Sequence, residues 1–320
     1  MARRRKARRE GDEREWQDVL ESQAKARGID LDAEPPREHL DHGEPQQEEL
    51  HRSLEKATRW EWMNDRKYAS MFKQIEHKLE GVLGVGRFEW VDRRVFDQVF
   101  DQSTLLAVYK LMQKGHIDTI DFPIARGKEA HVFHATTPNG VAAVKIFHTS
   151  NAVFKGLMQY IEGDPRFQGL SRRHRELVNI WVRKEHRNLL RLAKQGLRVP
   201  APHAVFKNVL VMDYIGQADG PSPRIRDIEI EDPEALFHEL IEFIRIAWQD
   251  AELVHADLSE YNILWHDDEA MVIDVGQAVA TAHPHAHEFL IRDVTRVVDW
   301  ANRLGCEFEV ADALAYVLEG

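Results

Sequence analysis

LVHADLSEYNILWHDDEAMVIDVGQ, from Leu253 to Gln277, decides how the rest of the chain is read. Asp257, Asn262 and Asp274, the last at the end of an apolar run, set two carboxylates and an amide in an order that suits metal-assisted phosphoryl transfer. Each group has a separate task there. A carboxylate on a loop orients an attacking hydroxyl and takes its proton, while an amide oxygen and a second carboxylate hold Mg²⁺ against nucleotide phosphates. A plainer alternative stands beside this one: Asp and Asn near strand ends also serve as turn formers and caps, bonding nearby backbone. What separates the two is whether a nucleotide-binding half lies upstream.

Upstream, segment 117–149 contains IDFPIARGKEAHVFHATTPNGVAAVKIFHT. Patches of period two, rich in Val and Phe, flank the turn signal Thr137-Pro138-Asn139-Gly140, which predicts an antiparallel hairpin preceded by a short loop-linked strand. Lys145 sits in the second arm among Val144, Ile146 and Phe147. A lysine in a strand built for burial needs a partner, unless it snorkels to water from an edge strand. Next, RELVNIWVRKEHRNLLRLAKQ (Arg175 to Gln195) spaces Leu177, Trp181, Leu189 and Leu192 on one helical face, with Glu185 on the same face. An acid on a packing stripe is costly unless paired. Lys145 is the natural partner; the alternative is a surface pair of Glu185 with Arg191 or Lys194.

The catalytic stretch resembles the protein kinase signature H-R-D-L-x-x-x-N followed by D-F-G, and VAAVKIF resembles the small-lobe strand whose lysine contacts the α- and β-phosphates. The loop ARGKEAHVF holds only Gly127 where a protein kinase has several glycines, but its place ahead of the hairpin fits a phosphate-covering loop with Lys128 as an extra cation. VLVMDYIG, Val209 to Gly216, falls where a kinase has its hinge, with Met212 guarding the adenine pocket and Asp213 and Ile215 presenting backbone. The helix around Leu236, Leu240, Phe243, Ile244, Ala247 and Trp248 is expected to form the centre of the large lobe.

Outside this body the sequence changes character. Residues 1–50 are crowded with Arg, Glu, Asp and Gln and predict a charged, disordered tail. Its cluster Arg3, Arg4, Arg5, Lys6, Arg8 and Arg9 reads either as a contact to RNA phosphates or as a solubilising tail. Residues 51–116 predict a helical extension, in which Val95, Val99, Leu105, Val108, Leu111 and Met112 recur at near-helical spacing before Gly115. Residues 117–320 are then the catalytic domain, with a small lobe over about 117–212 and a large lobe over about 216–320. The connection 150–173, broken at Gly163-Asp164-Pro165, is expected to be partly disordered.

Composition narrows the class. A formal charge of -11 argues against the whole surface being a nucleic-acid footprint. The single cysteine, Cys306, excludes an intramolecular disulfide and any multi-cysteine zinc site, which suits a reducing compartment. No stretch is long and apolar enough to predict a membrane span, and MARRRKARRE has no signal-peptide core, so the expectation is cytoplasmic.

GKEAHVFHA, VKIFHTS, YIEGDPRF, WVRKEHRNL, LVHADLSEYNIL, IDVGQAV and HPHAHEFLIRD, in that order, are similar to segments of the RIO family of atypical serine/threonine kinases, first subfamily. The resemblance implies an α+β, two-lobed kinase-like fold and an ATP- and Mg²⁺-dependent kinase or ATPase acting in small ribosomal subunit maturation. Its partners would be precursor rRNA and proteins, with no membrane and no DNA. It further implies Asp257 as proton acceptor, and Asn262 and Asp274 as metal ligands, with Asp274 a candidate for a transient aspartyl phosphate. Gly127, Lys128, Glu129, Val132, Lys145, Glu185, Met212, Asp213 and Ile215 would serve the nucleotide.

Departures matter too. Ala125-Arg126 replaces a usual Ser-Thr, removing a hydroxyl contact, and His131 stands where Asn is frequent. Relative to ordinary protein kinases, Ala256 replaces an arginine and Ser259 a lysine, and from Asp274 to Glu288 there is too little chain for an activation segment. His283, His285 and His287 alternate, and are read as a structural loop in preference to a metal site. Two other functions compete: a nucleotide-gated module for pre-ribosomal RNA and protein with negligible turnover, and a small-molecule kinase.

Overall fold

The Val-rich patches upstream of Lys145 form three successive antiparallel strands: β1 (Thr119–Arg126), β2 (Ala130–Thr137) and β3 (Gly140–Phe147). The computed structural model describes residues 66–79, 99–149, 158–164, 166, 174–217 and 220–319. The expected charged tail, its basic cluster and most of the 51–116 extension lie outside them, as do 150–157, 165 and 167–173 of the connection. The described residues belong to one compact unit, Trp62–Gly320.

Among the described residues two helices precede the sheet, α1 (Arg66–Ile75), continued by one 3₁₀ turn, and α2 (Gln102–Gln113). The spacing of Val95 through Met112 predicts helix throughout, and Val99 is helical, but the helix is interrupted at Phe100 and Asp101. α2 starts at Gln102, because the Asp101 carboxylate accepts from the Thr104 N–H at 2.7 Å and caps it. Leu105, Val108, Leu111 and Met112 are buried as the spacing requires; Val99 lies ahead of α2 and Val95 outside the described residues.

β1 is a full eight-residue strand rather than a short one, and two register shifts bend it around Pro123, which its edge position tolerates. With β4 (Pro202–Phe206) and β5 (Val209–Asp213) the sheet runs β1-β2-β3-β5-β4, so β3 is its central strand. Lys145 is therefore no edge lysine.

The long helix α3 (His174–Lys194) lays Leu177, Val178, Trp181, Val182, Leu189 and Leu192 against this sheet and the large lobe, and gives way at Gly196, whose φ of 77° lies in the left-handed region. After short β6 (Gly216–Gln217) and β7 (Gly220–Pro221), the large lobe is built on α4 (Pro233–Gln249). Asp232 caps α4 by accepting from Ala235 N–H at 2.9 Å, and Pro233 occupies its first turn. β8 (Leu253–Val254), the hairpin β9 (Ile263–His266) with β10 (Glu269–Val272), and β11 (Val279–Ala280) carry the catalytic stretch over α4. Helices α5 (Ala286–Arg303) and α6 (Val310–Leu318) close the lobe. One apolar core runs from Ala130 and Phe147 through Trp181 and Leu240 to Val297 and Val317, so the two lobes share it. Among the described residues no helix is long and apolar enough to cross a membrane.

Candidate active site

Position 145 faces the cleft because β3 alternates and its apolar neighbours take the opposite face and the sheet interior. The Lys145 ammonium donates to Glu185 Oε1 at 2.7 Å and to Asp274 Oδ1 at 2.9 Å. Three residues far apart in sequence thus meet at one charge. Burial by itself would lower the lysine, but the Asp274 and Glu185 carboxylates outweigh it and raise it above the ordinary range. Lys145 in turn holds Asp274 below the usual carboxylate range, against burial. Burial raises Glu185, with Lys145 opposing. Arg191, the alternative partner for Glu185, pairs instead with Glu252.

Asp257, Asn262 and Asp274 come from loops flanking the β9–β10 hairpin. Asn262 donates through Nδ2 to the Asp257 carbonyl at 2.9 Å, which leaves its amide oxygen as a hard donor. The Asp274 side chain is 49% exposed although one oxygen is tied to Lys145. An amide oxygen and a partly open carboxylate fit Mg²⁺, which takes few protein ligands and completes its shell with phosphate and water. Held there by Asn262 and Asp274, the ion would offset the charge of the nucleotide phosphates.

Asp257 is itself held from two sides. Its Oδ1 accepts from Arg296 Nη1 at 2.9 Å and its Oδ2 from Gln277 Nε2 at 3.3 Å. Below it, Ala256 sits at φ 67° in the left-handed region, a conformation that costs a β-carbon residue about 1–3 kcal/mol. Asp293 fixes that turn by accepting from Ala256 N–H at 2.7 Å and Leu258 N–H at 3.0 Å, while Arg292 donates to the Ala256 carbonyl. Burial lifts Asp293 to about 7 in spite of these donors. His255, buried and held below its usual range by that burial, bridges Ile273 O at 3.1 Å and the Asp257 N–H at 3.3 Å.

The loop after Asp274 is clamped from α3. Lys184 Nζ donates to the carbonyls of Gly276 at 2.7 Å and Ala278 at 2.6 Å, and Asn188 Nδ2 to those of Val275 at 2.8 Å and Ala278 at 3.0 Å. Burial above all, with Arg166 nearby, lowers Lys184 to about 7. Arg166 bonds Asn188 Oδ1 at 2.8 Å and is itself held by the buried Asp164, so the Gly163-Asp164-Pro165 break is, in its described part, packed into the site. Asp274 is fixed at φ 62° by this loop. Gly276 is required in it, since a β-carbon there would lie 2.9 Å from Glu185 Oε2 and 3.1 Å from Trp181 Nε1.

The remaining nucleotide candidates divide. Gly127, Lys128 and Glu129 form the short β1–β2 turn, closed by Gly127 N–H to Ala130 O at 2.9 Å, with Lys128 exposed at its tip. Glu129 turns toward the carboxylate cluster, and burial followed by Asp274 raises it to about 7. Val132 pairs across the ladder with Lys145, and Met212 lies half-buried on β5. The Asp213 side chain is spent on His203 at 2.7 Å and Ala201 N–H at 3.0 Å, and its N–H, part of the hinge backbone it was expected to present, donates to Ala201 O at 2.9 Å. Ile215 lies two residues on, its carbonyl accepting from Ser222 N–H at 3.1 Å. Burial above all, then His148 and exposed Arg126, lowers His131. The three alternating histidines have separate occupations: His283 on Glu162 O, His285 on Glu288 and His287 against Trp248.

The RIO domain family model matches residues 131–313. The RIO-type serine/threonine-protein kinase Rio1 of Haloferax volcanii is 44% identical over 215 residues, 67% of this chain and 74% of the relative. The chain belongs to the RIO domain family. Rio1 of Methanocaldococcus jannaschii is 37% identical over 226 residues, 71% of this chain and 78% of the relative. Human RIO1 is 41% identical over 217 residues, but the match spans only 38% of its length. The RIO chain is thus an atypical kinase of the Rio1 type. Its fold is shared with the Rio2 kinase of Chaetomium thermophilum, solved as an ADP/Mg²⁺-phosphoaspartate complex, at TM-score 0.50 and 21% identity over 68% of this chain and 67% of that one.

Arg296, Asp293, Gln277, Lys184 and Asn188, which the structure sets around Asp257 and the loop after Asp274, are not singled out by the sequence. For Asp293 the signal was present: an acid on the buried face of an amphipathic helix, the same sign that singled out Glu185.

Proposed function

We propose that the chain binds ATP with Mg²⁺ in this cleft and transfers the γ-phosphoryl group to a serine of its own or to water. Asn262 and Asp274 would hold the metal, Lys145, fixed by Glu185, the phosphates, and Asp257 the acceptor's proton. The observation that carries this reading is the meeting of Lys145 with Glu185 and Asp274 at 2.7 and 2.9 Å, in a cleft that also presents Asp257 and Asn262. Positioning supplies much of the barrier reduction in phosphoryl transfer, and the short stretch from Asp274 to α5 offers little to hold a peptide. ATP therefore acts here chiefly as a switch, in the cytoplasm, on maturing small ribosomal subunits. The solved Rio2 complex is described as holding a phosphoaspartate, and the exposed carboxylate of Asp274 supports proposing it as the residue that accepts the phosphoryl group transiently here.

The experiment is ATP turnover by the purified chain with and without small-subunit precursor, alongside Asp257→Asn. Turnover stimulated by precursor and lost by about 10²–10⁴ in the variant, with nucleotide binding kept, is expected. Acid-quenched protein labelled from γ-³²P-ATP should lose to hydroxylamine the part of its label carried by Asp274, any phosphoserine being retained. Label confined to serine, with fast phosphorylation of a separate protein, would replace the switch by a conventional kinase.

A further inference from the structure

The catalytic loop His255–Asn262 contains no lysine or arginine, yet it carries Asp257 and Glu260. Its charges are answered from α5. Arg292, Arg296 and Arg303 stand at intervals of four and seven residues, which puts them on one helical stripe. Arg292 bonds the Ala256 carbonyl, Arg303 meets Glu260 at 2.7 Å, and Arg296 alone of the three meets the carboxylate of Asp257. Lys145, at the other side of the cleft, is already engaged by two carboxylates.

We propose that Arg296 is a catalytic residue, the cation that the loop itself lacks, acting on the transferred phosphoryl group beside Asp257. This rests on the phosphoryl-transfer reading above. A guanidinium is a planar fork with five donors, and the bond to Asp257 runs through Nη1, so the fork can hold the carboxylate while other N–H groups meet a phosphoryl oxygen. Its side chain is 38% exposed beside a comparably exposed Asp257, and is not sealed in the core. In the step, the bond between the γ-phosphorus and the bridging oxygen breaks and its electron pair leaves with ADP. The acceptor oxygen, of serine or water, forms the new bond to phosphorus and its proton passes to Asp257 Oδ2, the oxygen not bonded to Arg296. Charge spreads over the three equatorial oxygens during this passage, and an arginine set there stabilises it.

The test compares Arg296→Ala and Arg296→Lys with the parent chain in single-turnover rate and in the affinities for Mg·ATP and Mg·ADP. Arg296→Ala is expected to slow the step by about 10²-fold or more and to weaken ATP binding while leaving ADP binding within about twofold. Lysine should restore part of the rate, and added guanidinium ion should partly rescue the alanine variant. A rate within about threefold of the parent, or equal losses of ATP and ADP binding, would overturn the proposal. With an active parent and an inactive Asp257→Asn, such a result sinks the role of Arg296 alone; a parent without turnover sinks the phosphoryl-transfer reading and this inference with it.

Discussion

His131 shows how one buried ring sets a pH limit. It is 6% exposed, with Nδ1 3.0 Å from His148 Nε2, and burial, His148 and Arg126 together lower it from 6.5 to about 4. The folded chain thus binds this proton more weakly than the unfolded one. The resulting stability is fully present above pH 6.5, is lost as pH falls from 6.5 toward 4, and amounts to up to about 3 kcal/mol. His131→Asn, whose amide keeps polar groups beside His148, should show a smaller drop in melting temperature between pH 7.5 and 5 than the parent. Equal drops would mean that other groups govern acid stability. At the same scale Gly276→Ala should loosen Glu185, costing about 1–3 kcal/mol in denaturant melts and about tenfold in turnover. A fully active, equally stable variant would show that Glu185 shifts freely.

Among elements, α3 and β3 act together. Lys145 and Glu185 form one unit, so changing both to alanine should cost turnover much less than the sum of the single changes. Additive losses would mean that each serves separately. This pair was legible in the sequence, because a lysine in an apolar strand and a glutamate on an apolar helical stripe each demand a partner and each supplies the other's. The start of α2 was not, since apolar spacing runs on through Val99 while the Asp101 cap decides the boundary. The clamp by Lys184 and Asn188 was hidden for another reason. Their acceptors are backbone carbonyls about ninety residues away, which carry no side-chain signature. Arg296 lay hidden likewise: at the surface of an amphipathic helix an arginine needs no explanation until its partner is seen.

For the molecule as a whole, the proposed roles make ligand binding and chemistry separable, because Asp257 is held by the large lobe alone while the groups proposed to hold the nucleotide span both. Mg·ADP at a hundred times its Kd should raise stability by about 2.7 kcal/mol. Asp257→Asn should keep that gain and Asp274→Asn lose most of it, as read by thermal shift; the same shift in both would remove Asp274 from the metal site. The carbonyls of Val275, Gly276 and Ala278, held by two side chains of α3, carry a pharmacological consequence. An inhibitor that wedges behind an outward-turned Asp274 loop would first have to strip Lys184 and Asn188 of their acceptors and leave a buried amine and amide bare. Selective compounds for this chain must accordingly compete in the nucleotide cleft itself, where Glu129 and the Arg296–Asp257 pair offer contacts to design against.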